Sequence, residues 1–442
     1  MSDSSDRATS RPLGMWSATA LVIGNIIGAG LFLLPASLAP YGGGSTLGWV
    51  WSFGGAMLLA VVFARMAARF PRAGGPYAYA RLAFGETAGF LMAWSYWISC
   101  WCSVAAIAVA LSGSLRVLFP ELLASPWRLA ACALAAMWLA TAINLVGLRA
   151  AGSAQVTTVV LKLLPLLLIG LAALPHIEPA RLLPAESDTA SWWSVAGATA
   201  ALTIWAFQGL ECATIPADQV TDAERLVPRA TMVGTVIAAL VTMLACSAVM
   251  GLVPQKALAG SSAPFADAAN ILWGGWAGRA FAAVAAISCL GALNGWVLIQ
   301  GQIPAAAARD GLFPRWFAPR GDTAPPRLAV ALSSALATVL VLANYSGSLV
   351  TIFTASILLS TAAALLPYLM TAAAALRLRR QLGTGSATPA PAGTATSIIA
   401  AGAFLFSVWA LWGTGAQALV WFAGLMLAGA VLHAGSLVTR RR

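Results

Sequence analysis

The chain has 442 residues, 60% of them hydrophobic and only 9% charged, with a formal net charge of +11 and a mean hydropathy of +0.84. A soluble domain carries about a quarter charged residues, so that class is excluded. Apolar runs of spanning length recur from end to end and imply an all-α polytopic membrane protein, while the short alternating segments of a β-barrel are absent. Residues 1–13, which include the polar "MSDSSDRATSR", read as a disordered cytoplasmic tail. Twelve transmembrane helices follow, over 14–38, 46–69, 87–117, 127–147, 154–175, 192–216, 229–254, 278–308, 327–345, 349–374, 394–413 and 417–437. The first run is followed by further spans and ends in no small-residue cleavage site, so it reads as retained. The stretch "GTGSATPAPAGTAT" sets the last two spans apart. The expected division is therefore a core over 14–376, a cytoplasmic linker over 377–393, a helix pair over 394–437 and a tail over 438–442.

The basic residues are not spread evenly. Arg65, Arg69, Arg72 and Arg81 surround the loop after span two, Arg149 follows span four, and Arg225 and Arg229 follow span six. Arg309, Arg315, Arg320 and Arg327 follow span eight, Arg377, Arg379 and Arg380 follow span ten, and Arg440 to Arg442 end the chain. The intervening loops carry few, chiefly Arg116, Arg128, Arg181, Lys256 and Arg279. By the positive-inside rule both termini are cytoplasmic, in a bacterial inner or other plasma membrane. This placement assigns the excess charge to membrane orientation rather than to nucleic acid.

Two spans are damaged in the middle. "IGNIIGAGLFLLP" (Ile23–Pro35) carries three glycines and Asn25, although each glycine costs a helix interior about 1 kcal/mol. The expected unwinding covers Gly24 to Gly30. "LTIWAFQGLECATIP" (Leu202–Pro216) is interrupted by Gln208-Gly209, followed at once by the ionisable Glu211. The breaks lie five spans apart, so the second half is inserted upside down relative to the first. Paired interruptions of this kind point to a secondary transporter built from inverted repeats, with half-helix N-termini and free amides facing a substrate at mid-membrane. The competing explanation, glycines for close helix packing, applies best to Gly24 and Gly28.

"GNIIGAGLFLLPASLA", "GGPYAYARLAFG", "WAFQGLECA", "DAERLVPRATMVG" and "AAARDGLFP", in this order, resemble the amino acid–polyamine–organocation superfamily. Within it the likeness is to the basic amino acid/polyamine antiporters, arginine/agmatine exchangers most of all. The resemblance implies a five-plus-five inverted repeat with broken helices one and six, two added C-terminal spans, and alternating access. It places the substrate carboxylate on backbone amides from Ile26 through Ala29 to Gly30, and the α-amino group on carbonyls around Trp205, Gln208 and Gly209. Trp205 matches an aromatic that covers a cationic substrate; a belt tryptophan is the alternative. Trp296 matches a second pocket tryptophan and Ser360 a polar contact for the distal end, with Ser99 and Cys100 of span three also assigned to the pocket. Tyr96, Glu211 and Tyr368 match a gating trio, though either tyrosine could pack in the core with its hydroxyl bonded. Glu211 is the one acid deep in a span, which is by default a functional position.

Two departures stand out. Val104 replaces an asparagine that contacts guanidinium in the exchangers, and Ala29 replaces a serine, so arginine is in question as substrate. Lys162 lies well inside span five. Sodium-independent relatives keep a lysine there in place of sodium, and snorkelling to the helix end is an equal alternative.

The six cysteines lie in or beside apolar spans and read as packing residues, and His176 and His433 are isolated at span ends. No cofactor or metal site is expected, and no catalytic cluster, so the chain is not an enzyme. No span carries a polar stripe at helical spacing, which argues against a channel. The leading expectation is an antiporter exchanging a cationic amino acid for its decarboxylated amine or another amino acid. A proton-coupled neutral amino acid permease is the runner-up. Implied partners are amino acids or polyamines and the lipid bilayer, with a homodimer left open.

Overall fold

A bilayer offers no water to the backbone, so a chain this apolar must close its amide hydrogen bonds within each segment. The computed structural model describes residues 14–27, 31–70, 74–146, 152–183, 191–214, 220, 222–318, 325–343, 348–379 and 394–440, with the side chains of 152–158, 160–161 and 436–440 excepted. The principal helices are α1 (Met15–Ile26), α2 (Ser45–Arg69), α3 (Pro76–Phe84), α4 (Glu86–Leu118), α5 (Pro126–Val146), α6 (Gly152–Ala173) and α7 (Trp192–Trp205). They continue as α8 (Ala223–Leu252), α9 (Pro264–Trp273), α10 (Gly275–Arg309), α11 (Arg327–Ala343), α12 (Leu349–Arg377), α13 (Thr394–Gly413) and α14 (Gly415–Arg440). No β-strand occurs among the described residues. Eight helical segments among them are long and apolar enough to cross a membrane, and the apolar helices Lys162–His176 and Arg327–Ala343 are shorter. The expected N-terminal tail 1–13 and most of the expected linker lie outside the described residues.

Local sequence sets the helix ends. The Ser191 hydroxyl accepts from the N–H of Ser194 at the start of α7, and Ser348 accepts from Thr351 at the start of α12. Pro76 and Pro264 occupy the first turns of α3 and α9, where a missing N–H costs nothing.

Helix α4 is buried around its whole circumference and packs against α3, α5, α10 and α12. Helix α1 rests on α6 and α8, while α2 rests on α7 and α8. A helix buried on every side belongs at the centre of such a bundle. By contrast α13 and α14 expose Leu405, Trp412, Val420, Trp421 and Leu427, as lipid-facing helices do.

Two of the quoted motifs meet at one end of the bundle. Arg81 of α3 pairs with Glu86 at 2.7 Å and with Asp310, just after α10, at 3.3 Å. Tyr77 donates to the same Asp310 carboxylate at 3.2 Å. Burial, reinforced by the Asp310 charge, pushes the Tyr77 hydroxyl above its ordinary pKa. Partly exposed ion pairs contribute about 0–1 kcal/mol each. The cluster therefore holds α3 against α10 more by geometry than by energy.

Candidate functional site

The first break starts later than the glycines imply. Helix α1 keeps Gly24 and Asn25 and ends at Ile26, and the Ile27 N–H still reaches the Ile23 carbonyl at 2.9 Å. This corrects the expectation of unwinding from Gly24. Asn25 finds a partner for its amide within the helix, its Nδ2 donating to the Leu21 carbonyl at 2.8 Å, so this polar group needs no unwinding to be satisfied. Gly28, Ala29 and Gly30 lie outside the described residues. Ile26 is buried beside them.

The second break is a run of tight turns. Helix α7 ends at Trp205, and the chain continues through bonds from Phe207 N to Ile204 O (2.9 Å), Gln208 N to Trp205 O (3.1 Å) and Leu210 N to Phe207 O (3.3 Å). Gly209 has φ +110°, a conformation side chains resist. A Cβ there would stand 2.9 Å from Asn25 Cβ and 3.1 Å from the Ile26 nitrogen. Gly209 of the second break thus packs directly against the last turn of α1, at the edge of the first break.

Glu211 follows directly and is completely buried. Tyr96 of α4 donates to its Oε1 at 2.5 Å and Tyr368 of α12 to its Oε2 at 2.6 Å. The Gly209 N–H donates to Oε2 as well, at 3.1 Å. These hydroxyl contacts have the short lengths of bonds to a carboxylate. Three residues far apart in sequence are therefore one unit joining α4, the second break and α12.

A second polar cluster lies on the same helices. The Ser360 hydroxyl of α12 lies 3.1 Å from Gln208 Oε1 and 3.0 Å from the Ser99 carbonyl, alternative acceptors for its single proton, and its oxygen is 2.8 Å from Ser103 Oγ. Ser99 and Ser103 also reach Gln208 Oε1, at 3.4 and 3.5 Å. The Trp205 indole donates to Ser103 Oγ at 3.4 Å, and its ring meets Phe353 edge-on at 5.4 Å. Trp296 on α10 is buried, and its indole nitrogen has no hydrogen-bond partner among the described residues. Cys100 and Val104 are both fully buried on α4.

Ser103 and Phe353 escaped the sequence reading, and so did a row of hydroxyls. Ser95, Ser99 and Ser103 recur every fourth residue and all turn toward α7 or α12, with Ser95 donating to the Ala363 carbonyl at 2.7 Å. The view that no span carries a polar stripe is therefore corrected for α4. Serine is small enough to be counted with alanine in a hydropathy reading, and the four-residue spacing was the available signal.

Lys162 of α6 is buried, 6% exposed, and does not run out to the helix end. Its Nζ donates to the Gly24 carbonyl at 3.5 Å, beside the first break. His433 is not isolated: its ring stacks on Phe90 at 4.3 Å, with Nε2 3.3 Å from Thr87 Oγ1. Among the described residues no group of acids, cysteines and histidines has metal-site geometry.

Residues 13–432 match the sequence profile of the amino acid permease family. The chain is 32% identical over 355 residues to the cadaverine/lysine antiporter of Escherichia coli K12, covering 77% of each. It is 31% identical over 396 residues to the putative arginine/ornithine antiporter of Bacillus subtilis 168, covering 83% of this chain and 84% of that one. Identity to the putrescine transporter PotE of Escherichia coli K12 is 29% over 418 residues, covering 94% of each. Its fold matches a crystal structure of the Eremococcus coleocola manganese transporter with TM-score 0.64 over 97% of this chain and 95% of that one. Sequence identity there is 14%, so that likeness concerns the fold alone. On the extent of the profile match and of the antiporter alignments, the chain belongs to the amino acid permease family, in the amino acid–polyamine–organocation superfamily, among its basic amino acid/polyamine antiporters.

Proposed function

We propose that this protein is a secondary antiporter that exchanges a cationic amino acid for a polyamine or another amino acid by alternating access. The observation that carries the reading is the single acid at the second break, Glu211, sealed by Tyr96 and Tyr368 on two different helices. Opening toward one side of the membrane requires those helices to separate at this carboxylate. Trp205 and Trp296, both buried, supply aromatic faces for a cation, each worth about 0.5–2 kcal/mol. In this reading the substrate carboxylate is assigned to the first break beyond Ile26, where the N-terminus of the following half-helix would attract an anion.

The architecture in this reading has twelve spans. A five-plus-five inverted repeat covers 14–376, a linker follows, the pair α13 and α14 is appended, and both termini are cytoplasmic. The names of the relatives support the cationic class: one is a cadaverine/lysine antiporter and another a putrescine transporter. Val104 offers no polar contact to a guanidinium, which weighs against arginine as the preferred member of that class.

Lys162 acts in this reading as a built-in cation against the Gly24 carbonyl, so transport needs no sodium. The test is counterflow in proteoliposomes. Preloading with lysine, ornithine, cadaverine or putrescine is expected to drive entry of labelled cationic substrate, equally in sodium and in choline buffer. Collapse of uptake in choline would remove the role assigned to Lys162. Competition by neutral amino acids alone would replace the antiporter with a neutral permease.

A further inference from the structure

We infer that a cavity between the ends of α4, α5 and α12 holds an anionic phospholipid, with its phosphodiester on Arg116 and part of an acyl chain in the apolar interior. The site is separate from the two breaks and takes a different kind of molecule. It does not depend on which substrate is carried.

The cavity has a volume of about 180 Å³. An apolar cavity of about 150 Å³ holds benzene, so this one takes several methylene groups but not a whole lipid. Its inner walls are Val109 of α4, Leu129 and Ala133 of α5, Val341 of α11 and Ile352 of α12, all buried. The loop residue Ser262 closes one side, and a Cβ at Gly113 would run into its carbonyl, so this wall is held tight against α4. Arg116 and Ser348, both exposed, mark the mouth. Ser103 and Ser112 are nine residues apart on α4, about two and a half turns, and so face opposite sides. Ser103 turns toward Gln208, whereas Ser112 lines the cavity. The cavity therefore lies behind α4 as seen from the second break.

The mouth calls for an anion and the interior for a hydrocarbon. Arg116 has no ion pair or hydrogen-bond partner among the described residues. Its planar guanidinium is suited to two phosphate oxygens at once. Leu349 and Val350, in the first turn of α12, also line the cavity, and their N–H groups have no acceptor among the described residues. A helix start of this kind favours negative charge. The connection that brings Ala124 and Pro126 to the cavity exposes Phe119, Leu122 and Trp127 by 54, 65 and 57%. Exposed aromatic side chains are enriched at the headgroup level of a bilayer. Arg116 is also about 45 Å along α4 from Glu86, at the opposite end from the Arg81–Asp310 pair. A bilayer measures about 40–45 Å between its headgroup regions. A free phosphate would leave the apolar interior unfilled. A choline headgroup brings its own cation to the phosphate and competes with Arg116, while a glycerol headgroup does not.

The walls come from the two helices that seal Glu211. Val109 and Arg116 share α4 with Tyr96, and Leu349 and Ile352 share α12 with Tyr368. A lipid seated between them joins the ends of α4 and α12 at a distance from that seal. The composition of the membrane thus bears on the same pair of helices.

The experiment is amide hydrogen exchange on the full-length protein in two kinds of nanodisc, phosphatidylcholine alone and an equal mixture with phosphatidylglycerol. Peptides covering 124–130 and 349–352 are expected to exchange at least about fivefold more slowly with phosphatidylglycerol, the equivalent of one arginine–headgroup attraction. Arg116→Gln is expected to bring that difference within about twofold. Arg279→Gln, at an exposed arginine outside the cavity, is expected to keep it. Ala130→Leu fills the cavity while retaining Arg116 and is expected to shrink the difference as well, so it decides the matter if Arg116→Gln does not fold. No slowing by phosphatidylglycerol in the unaltered protein overturns the inference, as does undiminished slowing in a folded Arg116→Gln protein. Equal slowing by sodium phosphate added to the phosphatidylcholine nanodiscs overturns the lipid assignment in favour of a free anion.

Discussion

Replacing Glu211 by glutamine is expected to slow exchange by about tenfold or more while equilibrium binding of substrate changes by less than about threefold. The carboxylate accepts from Tyr96 on one oxygen, and from Tyr368 and the Gly209 amide on the other. A carboxamide has one acceptor oxygen and an NH2 group that cannot accept, so at least one tyrosine hydroxyl must turn away. A hydrogen bond to a charged group contributes about 1.5–3 kcal/mol, and 1.4 kcal/mol is a factor of ten. The loss falls on the closed arrangement of α4, α12 and the second break, and therefore on interconversion of states rather than on the contacts around the substrate. Counterflow rate and calorimetric binding on the same preparation check it. Wild-type exchange rates across acid and neutral pH would reduce Glu211 to a satisfied buried acid without a part in turnover.

The second large effect is expected at Gly209. Gly209→Ala must accommodate a side chain at φ +110° and a methyl group 2.9 Å from Asn25 Cβ and 3.1 Å from the Ile26 nitrogen. A strained backbone conformation alone costs about 1–3 kcal/mol. Here the opposing atoms are partly main chain and cannot rotate aside. We expect exchange to be abolished and the melting temperature of the purified protein to fall by several degrees. Gly295→Ala is the control. That glycine is helical, on α10, and a Cβ there would meet nothing nearer than Asn25 Oδ1 at 4.0 Å. It is expected to leave both stability and exchange near wild type, since alanine favours a helix interior over glycine by up to about 1 kcal/mol. Equal tolerance of both substitutions would mean that the contact between the breaks has no part in the cycle.

The legible part of this protein is what depends on composition and local pattern. The apolar runs had to become helices because a bilayer leaves the backbone no other partner, and Ser191 and Ser348 mark the starts of α7 and α12 as caps do anywhere. Gly209 and Glu211 advertised themselves because glycine and a carboxylate are expensive in mid-span, so their presence required a reason. The tertiary structure decided the rest. No local signal states that Tyr96 and Tyr368 take opposite oxygens of one carboxylate, since they approach it from helices 115 and 157 residues away. Nor does a glycine's own sequence context say that it fits against Asn25. The first break kept its helix as far as Ile26, with the Asn25 amide bonded to the Leu21 carbonyl, although the glycines on either side allowed unwinding from Gly24. The serine row of α4 gained its meaning in the same way. Two of those small hydroxyls, Ser99 and Ser103, pass as filler in a hydropathy profile yet join one polar cluster once the second break brings Gln208 and α12 brings Ser360 beside them.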